Sequence, residues 1–336
     1  MRLGNTGRLW MPAAILCMTA LQAGAGAQRE MTTPPDIAKW QLVCYCSAPV
    51  TPNTIVLRDN NGQILYAARS GITAAQLKAR GISASDSQLT LLQSWRLLRK
   101  DGDRYITAIP TLDAREESLL RNSLRKRVGQ TASQIQGDVN AITASLRREH
   151  YGNHSYGVIF SYVLDGLMWQ ILTTRRALPS SQRNPAEANW SGAFWAVYPP
   201  HAKAPGTNST QTSRGQWIVY TWNDEVLTAL QGVDEKKITD VPHITNAPSD
   251  PIYRSATRIA EKVANLVQAS ERTASSRTLR ITGDQTATLI VGHEVMWALM
   301  DWLVAHRVVD YPNVLTGNGT PTIDSLRDLF FTLSGM

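Results

Sequence analysis

Four polar residues interrupt the apolar stretch at residues 150–172, HYGNHSYGVIFSYVLDGLMWQIL: His150, His154, Ser161 and Asp165. On a helix with 3.6 residues per turn, the last three lie within about 20° of one another. They would form one polar seam on a helix that is apolar on its other sides, and such a helix is expected to be buried. The seam is either a reaction centre or a set of hydrogen-bonded core side chains.

A catalytic triad within this helix is excluded. At 1.5 Å per residue, His154 and Ser161 would be about 10 Å apart along the axis, whereas proton transfer needs about 3 Å. No GxSxG sequence surrounds Ser161, so the turn of a nucleophile elbow is missing too. His150 and His154 have the i, i+4 spacing of zinc-binding pairs, but Gly152 lies between them and no glutamate follows His150.

A second apolar helix is predicted at TLIVGHEVMWALMDWLVAHRVV, residues 288–309, with Glu294 and Asp301 on a polar stripe. If the two helices pack together, five side chains could converge as an acid/base or ligand set: His154, Asp165, His293, Glu294 and Asp301. The alternative is that these groups are buried and hydrogen-bonded within the core. The sequence contains no P-loop and no GxGxxG, and we expect neither a metal nor another cofactor.

Tryptophans suggest a second kind of site. Two predicted strands, AFWAVYP at 193–199 and QWIVYTW at 216–222, are joined by a loop whose segment PGTNSTQTSRG should be exposed and mobile. Flat rings with polar edges stack on carbohydrates and peptides. The candidate platform consists of Trp190, Trp195, Trp217 and Trp222. Alternatively, these rings fill the interface between a sheet and the helices.

The first 27 residues have the layout of a secretory signal peptide. Arg2 and Arg8 precede the apolar run WMPAAILCMTAL, and small residues lead up to Gln28. We therefore predict export to the periplasm or the medium. Charged residues interrupt the later apolar runs, so no transmembrane segment is expected. For Cys44 and Cys46 a disulfide ring, a bridge to another chain and free thiols all stay open.

After a predicted linker at residues 28–53, residues 54–113 read as a small domain. IVLRDNNGQILYAA, residues 55–68, predicts a hairpin about Asn-Asn-Gly, because these residues accept positive φ. A short helix at 72–81 ends at Gly81, and a second helix begins at Ser83 or Ser85. A second hairpin is expected about Asp101-Gly102.

The stretch TAAQLKARGISASDSQLTLLQSWRLLRKDGDRYITAIP, residues 73–110, resembles the winged helix-turn-helix modules of bacterial ArsR- and MarR-type regulators. The resemblance implies that the second helix would enter the major groove, with Gly102 in the wing. The front of that helix departs from the pattern, because it offers Asp86 and Gln88 among serines and no cation. Export would also separate the protein from the chromosome. We therefore predict a winged-helix-like module that does not read DNA.

Residues 114–149 predict a helical connector with a broken apolar stripe, in which Gly129 and Gly137 favour a bend or two helices. The stripe could build a homodimer or pack within the chain. Residues 150–336 predict a mixed α+β domain with two buried helices, and the fold class is α+β. The net charge of +7 is mild for a nucleic-acid-binding protein.

The sequence favours an exported, non-catalytic binding or assembly protein with a protein, peptide or carbohydrate partner. A first alternative is a hydrolase or metal-dependent enzyme using the His/Asp/Glu cluster, and a second is a winged-helix DNA-binding regulator.

Overall fold

The computed structural model describes residues 35–47, 51–182, 189–198, 205–231, 233, 238–274, 284–316 and 321–335. The predicted signal peptide at residues 1–27 lies outside the described residues, as does the segment 275–283 between two of the helices.

Helices and three small sheets make up an α+β fold, as predicted. The helices are α1 (Asn53–Val56), α2 (Asn61–Ala67), α3 (Ala74–Ala79), α4 (Asp86–Ser94), α5 (Ala114–Arg148), α6 (Ser155–Gly157), α7 (Trp169–Thr174), α8 (Asp224–Leu230), α9 (Pro251–Ala274), α10 (Asp284–Ala305) and α11 (Ile323–Arg327). The strands are β1 (Gln41–Ser47), β2 (Ile72–Thr73), β3 (Leu98–Asp101), β4 (Arg104–Thr107), β5 (Thr111–Leu112), β6 (Ser191–Val197), β7 (Gly206–Gln211), β8 (Trp217–Trp222), β9 (His243–Thr245) and β10 (Phe330–Ser334).

The hairpin predicted for residues 55–68 is wrong, because α1 and α2 occupy this stretch. Asn61 is buried, and its side-chain amide donates to the carbonyl of Ile55 at 2.7 Å. Gly62 allows α2 to approach the backbone of Ala38 closely, since a Cβ at position 62 would lie 2.5 Å from the Ala38 nitrogen. The Asn-Asn-Gly sequence therefore starts a helix that packs against the preceding chain.

The two helices and the hairpin expected in residues 73–110 are present. Thr73 and Gln76 form a capping box at the start of α3, and Ser85 caps α4. Strands β3 and β4 are antiparallel, and their turn includes Gly102 at a φ of 59°. Strand β2 pairs with β4, which gives the sheet order β2-β4-β3.

A three-stranded sheet, β1-β6-β5, joins the two halves of the chain. The linker predicted for residues 28–53 is thus wrong where it is described, because β1 lies within it and pairs antiparallel with β6. The side chains of β6 alternate between two hydrophobic clusters. The N-terminal cluster is built from residues 37–109 and Trp190, and Phe194 and Ala196 belong to it. The C-terminal cluster is built from the rest of the chain, and Trp195 and Val197 belong to it.

The strands expected at 193–199 and 216–222 exist as β6 and β8, but they belong to different sheets. Strand β8 lies in the order β7-β8-β10-β9. The loop predicted at residues 205–215 is largely strand β7, which forms a hairpin with β8. Its small polar residues hide this pairing in the sequence, because the side chains from Ser209 to Gln211 are exposed.

Helix α5 is one helix of 35 residues, so the predicted division into two helices is wrong. Asp113 and Glu116 form a capping box at its start. Its apolar stripe is buried against α9 and α10 in the same chain, and this packing outweighs the cost of the two glycines. Packing within the chain, one of the two alternatives for residues 114–149, thus covers most of the stripe.

Helix α10 combines length and apolar character. By these two properties alone, Gln285–Ala305 is the one stretch among the described residues that would be able to cross a bilayer. However, 72% of its window is buried inside the protein, and buried core helices satisfy the same criterion. In the fold α10 packs against α5 and α9.

Candidate functional site

The five residues proposed as one cluster fall into four separate surroundings. Asp165 and His293 lie together, whereas His154, Glu294 and Asp301 each have other neighbours. The structure therefore does not bring the five residues together at one place. In the part of the chain that the structure describes, no group of three or more His, Cys, Asp or Glu side chains is arranged to hold a metal ion.

His154 is enclosed at the end of a 3₁₀ turn that follows α5. It is 4% exposed, and neither ring nitrogen has a hydrogen-bond partner of normal geometry among the described residues. Burial lowers the pKa of His154, and the nearby carboxylate of Asp328 opposes this shift. The ring packs edge-on against Tyr151, with 5.4 Å between the ring centroids.

Glu294 is an ion-pair partner within the core. Its carboxylate accepts from Nε of Arg121 at 2.9 Å, and the same guanidinium contacts Glu117. Both carboxylates are nearly inaccessible, at 3% for Glu294 and 6% for Glu117. Asp301 is exposed on α10, near the phenol groups of Tyr156 and Tyr311.

Ser161 is a structural hydroxyl and no nucleophile. It lies 2.5 Å from the hydroxyl of Thr221 and accepts from Thr207 at 3.0 Å. Ser161 and Asp165 stand on a π-helical segment, Val158–Met168, which follows α6 and precedes α7. The i→i+5 hydrogen bonds of this segment give more residues per turn than an α-helix has. The angular positions calculated for His154, Ser161 and Asp165 on an α-helix therefore do not apply. Single π-helical turns are frequent at functional sites.

Asp165 and His293 are brought together by the packing of the π-helical segment on α10. Nε1 of Trp169 donates to Asp165 Oδ1 at 2.9 Å. The Trp169 ring also lies against His293, with 4.9 Å between centroids. Gly292 makes this approach possible, because a Cβ there would lie 2.3 Å from the indole of Trp169.

The hydrogen bond of His293 to the backbone determines which ring nitrogen carries the proton. Nδ1 lies 2.8 Å from the carbonyl oxygen of Leu289, which can only accept, so Nδ1 carries the hydrogen and Nε2 keeps its lone pair. Burial among aromatic rings lowers the pKa of His293, and the Leu289 carbonyl and the Asp165 carboxylate oppose this shift. The imidazole is therefore neutral at pH 7.

Asp165 and His293 both line a cavity of about 690 Å³. The cavity lies where the two hydrophobic clusters adjoin, because it is also lined by β1 and the turn before it. Its principal side chains are Trp40, Cys44, Asp165, Trp222, His293 and Trp297. Cys44 is joined to Cys46 by a disulfide, with 5.3 Å between the Cα atoms. Of the three alternatives for the two cysteines, this is the disulfide ring.

The four tryptophans proposed as a platform do not share a surface. Trp190 and Trp195 are buried, in the N-terminal and C-terminal clusters respectively. Trp190 donates to the carbonyl of Trp95 at 2.7 Å and is covered by Arg96. Trp217 and Trp222 are half-buried on β8, and of the four only Trp222 lines the cavity.

Sequence reasoning missed three aromatic residues of this site, namely Trp40, Trp169 and Trp297. Trp40 lies in the segment that was taken for a linker. Trp169 and Trp297 were treated as filling of two apolar helices. Their spacing to Asp165 and His293, four residues in each case, was the available signal, because residues four apart share a helical face.

Comparisons of the chain with family models, with curated proteins and with solved structures found no match. The function must therefore be argued from the site itself.

Proposed function

We propose that the protein is an exported binding protein, acting in the periplasm or outside the cell, which holds a small ligand in the cavity between its two hydrophobic clusters. One observation carries the proposal: a cavity of about 690 Å³ brings three tryptophans together with one carboxylate and one neutral imidazole. Ligand sites of about 300–1,000 Å³ with mostly apolar walls and a few polar groups are typical of proteins.

A binding role is better supported than hydrolysis. An acyl-transfer site needs a nucleophile within hydrogen-bonding distance of a base. Ser161 is hydrogen-bonded to two threonine hydroxyls, Glu294 is enclosed in an ion pair, and Asp301 is exposed on α10. Without a nucleophile, Asp165 and His293 provide groups for recognition: Asp165 offers a negative charge and His293 offers a lone pair. Both groups can orient a bound ligand.

We further propose that the N-terminal module, residues 54–113, is winged-helix-like in ancestry and does not read DNA. Gln88, the best base-reading side chain at the front of α4, donates instead to the side chains of Asn60 and Asn61, at 2.9 and 2.8 Å. Arg96 lies over the Trp190 ring, 4.5 Å from its centroid. A fluorescence titration with duplex DNA at physiological salt should show no binding with nanomolar affinity.

The binding proposal is tested by thermal melting of the purified protein with a panel of amino acids, short peptides, sugars, organic amines and carboxylates. A ligand at 100 times its dissociation constant stabilises the folded state by about 2.7 kcal/mol. We expect at least one class to raise the melting temperature of wild type and of the Trp217→Ala control, and to do so much less for Trp222→Ala. Both tryptophans lie on β8, but only Trp222 lines the cavity. Equal stabilisation of both variants, or no stabilisation by any class, contradicts the proposal.

Export is tested separately by cell fractionation and mass spectrometry of the N-terminus. The mature chain should be found outside the cytoplasm and begin at Gln28. A cytoplasmic chain that retains Met1 contradicts this part of the proposal.

A further inference from the structure

We infer that the ligand of the cavity is a small organic cation, an alkylammonium or quaternary ammonium compound, with Asp165 as its counter-ion and the rings of Trp222 and Trp297 against its carbon atoms. The inference rests on the proposed binding function and names the chemical class of the ligand.

The first argument is the state of the Asp165 carboxylate. Its hydrogen-bond partner is the indole N–H of Trp169, a neutral donor. Asp165 takes part in no ion pair within the described residues, although it is half-buried. Charges that are removed from water are normally paired. The carboxylate is thus a charge for which the described protein supplies no cation.

The second argument concerns the nearest basic groups. His293 lines the same cavity and interacts with Asp165, and it is neutral, as argued above. Lys39 lines the cavity but is exposed, so its ammonium group is solvated at the rim. Arg69 lies 6.0 Å from the centroid of the Trp40 ring, but it is held by Asp113 and Glu116. None of the three neutralises Asp165.

The third argument is the aromatic wall. Trp222 and Trp297 both line the cavity beside Met296, and Trp297 packs against His293 with 5.8 Å between centroids. Cations are attracted to the face of a tryptophan within about 6 Å of the ring centroid, and the attraction is strongest where water is excluded. Methyl and methylene groups of an ammonium ion also pack well against indole and thioether surfaces.

The other ligand classes fit less well. An anion would be repelled by Asp165, and the lone pair of His293 Nε2 gives it no donor. A sugar could stack on the tryptophans, but it would leave the carboxylate without a positive charge. An organic cation satisfies the carboxylate, the imidazole lone pair (through an N–H or O–H of the ligand) and the rings together.

The experiment compares choline with 3,3-dimethylbutan-1-ol, a neutral molecule of nearly the same shape in which carbon replaces the charged nitrogen. Binding to the full mature protein is measured by isothermal calorimetry and by tryptophan fluorescence. Tetramethylammonium and benzyltrimethylammonium extend the size range, and glucose serves as the sugar probe. Each probe is titrated against wild type, Asp165→Asn and Asp103→Asn.

Asp165→Asn removes the charge but keeps an oxygen that accepts from Trp169, whereas Asp103 is an exposed carboxylate on the β3–β4 turn, outside the cavity. We expect at least one ammonium probe to bind wild type with millimolar or tighter affinity, and choline to bind more tightly than its neutral counterpart. Asp165→Asn should weaken the ammonium probe by about tenfold or more. Asp103→Asn should bind like wild type.

Three outcomes overturn the inference. If choline and its neutral counterpart bind equally, the charge is not recognised. If Asp165→Asn binds the ammonium probe as well as wild type does, Asp165 is not the counter-ion. If glucose or another neutral probe binds in the cavity and no ammonium probe does, the ligand class is wrong while the proposed binding function survives. Failure of every class in the melting panel contradicts the binding function as well.

Discussion

His154 and Asp165 belong to one continuous helical stretch, yet their surroundings are opposite. His154 is enclosed by protein and lacks a hydrogen-bond partner among the described residues, and its lowered pKa keeps it uncharged. Asp165 lines a cavity and is held by an indole N–H. One side chain is a polar group in the core, and the other is a polar group presented to a ligand.

The comparison teaches that a polar seam on an apolar helix does not by itself define a site. The distinction depends on what packs against each position, and this is decided by chain segments far away in sequence. It extends to the second helix, where Glu294 is enclosed in an ion pair and the adjacent His293 lines the cavity. Enclosed groups should govern stability, whereas cavity groups should govern binding.

The largest effect is expected for Arg121→Met, which leaves Glu117 and Glu294 facing each other without their shared cation. Breaking a buried ion pair typically costs about 3–5 kcal/mol, and we expect the lower end because the Arg121 side chain is 37% exposed. Urea unfolding at pH 7 measures the loss. Arg125→Met, an exposed site on the next turn of α5, is the control. Similar unfolding midpoints for the two variants would show that the enclosed charges contribute little.

A smaller, pH-dependent effect is expected for His154→Phe. Because burial lowers the pKa of folded His154 below the usual histidine value of about 6.5, the unfolded chain binds more protons than the folded chain as the pH falls below this value. The stabilising effect of the neutral ring is therefore complete above about pH 6.5 and is lost as the pH decreases. For one histidine the slope is at most about 1.4 kcal/mol per pH unit.

The test is urea unfolding of wild type and His154→Phe between about pH 8 and about pH 5. On acidification the variant should lose less stability than wild type does. It should still lose part of its stability, because the pKa of His293 is lowered as well. The exposed His306→Gln should follow wild type. Parallel profiles for wild type and His154→Phe would place His154 among the exposed, solvated groups instead.

The smallest effect is expected for the stability of Asp165→Asn in the absence of ligand. The amide oxygen can still accept from Trp169, and no ion pair is lost, so the free energy of unfolding should change by less than about 0.5 kcal/mol. The expectation from the polar seam alone is a loss of about 1–3 kcal/mol, as for a buried hydrogen bond. A loss of that size in melting or urea experiments would mean that the two ends of the stretch have the same structural role.

Local signals in the sequence predicted local structure well. Ser85, one of the two residues expected to cap α4, does cap that helix, and Asp101-Gly102 makes the expected turn. Such signals act between residues a few positions apart, so they can be read without knowing the fold. The α+β class followed from them as well.

Where distant partners decide, sequence reasoning was wrong. Asn61 starts a helix, and its carboxamide also accepts from Gln88, which is 27 residues away. Helix α5 stays continuous because α9 and α10 cover it. Asp165 and His293 were named as candidates, but the aromatic wall at Trp40, Trp222 and Trp297 depends on three segments whose contact no spacing reveals.

The two faces of strand β6 have a consequence for how the chain folds during synthesis. The N-terminal cluster needs Trp190, Phe194 and Ala196 to be complete, and among the described strands β1 pairs with β6 alone. A growing chain that has reached residue 113 therefore carries an unpaired strand edge and an open hydrophobic surface, which persist until about 80 further residues have emerged. At typical elongation rates of about 5–20 residues per second this exposure lasts about 4–16 s. The hydrophobic cluster and the strand pairing of the N-terminal region are thus completed only by later residues of the chain.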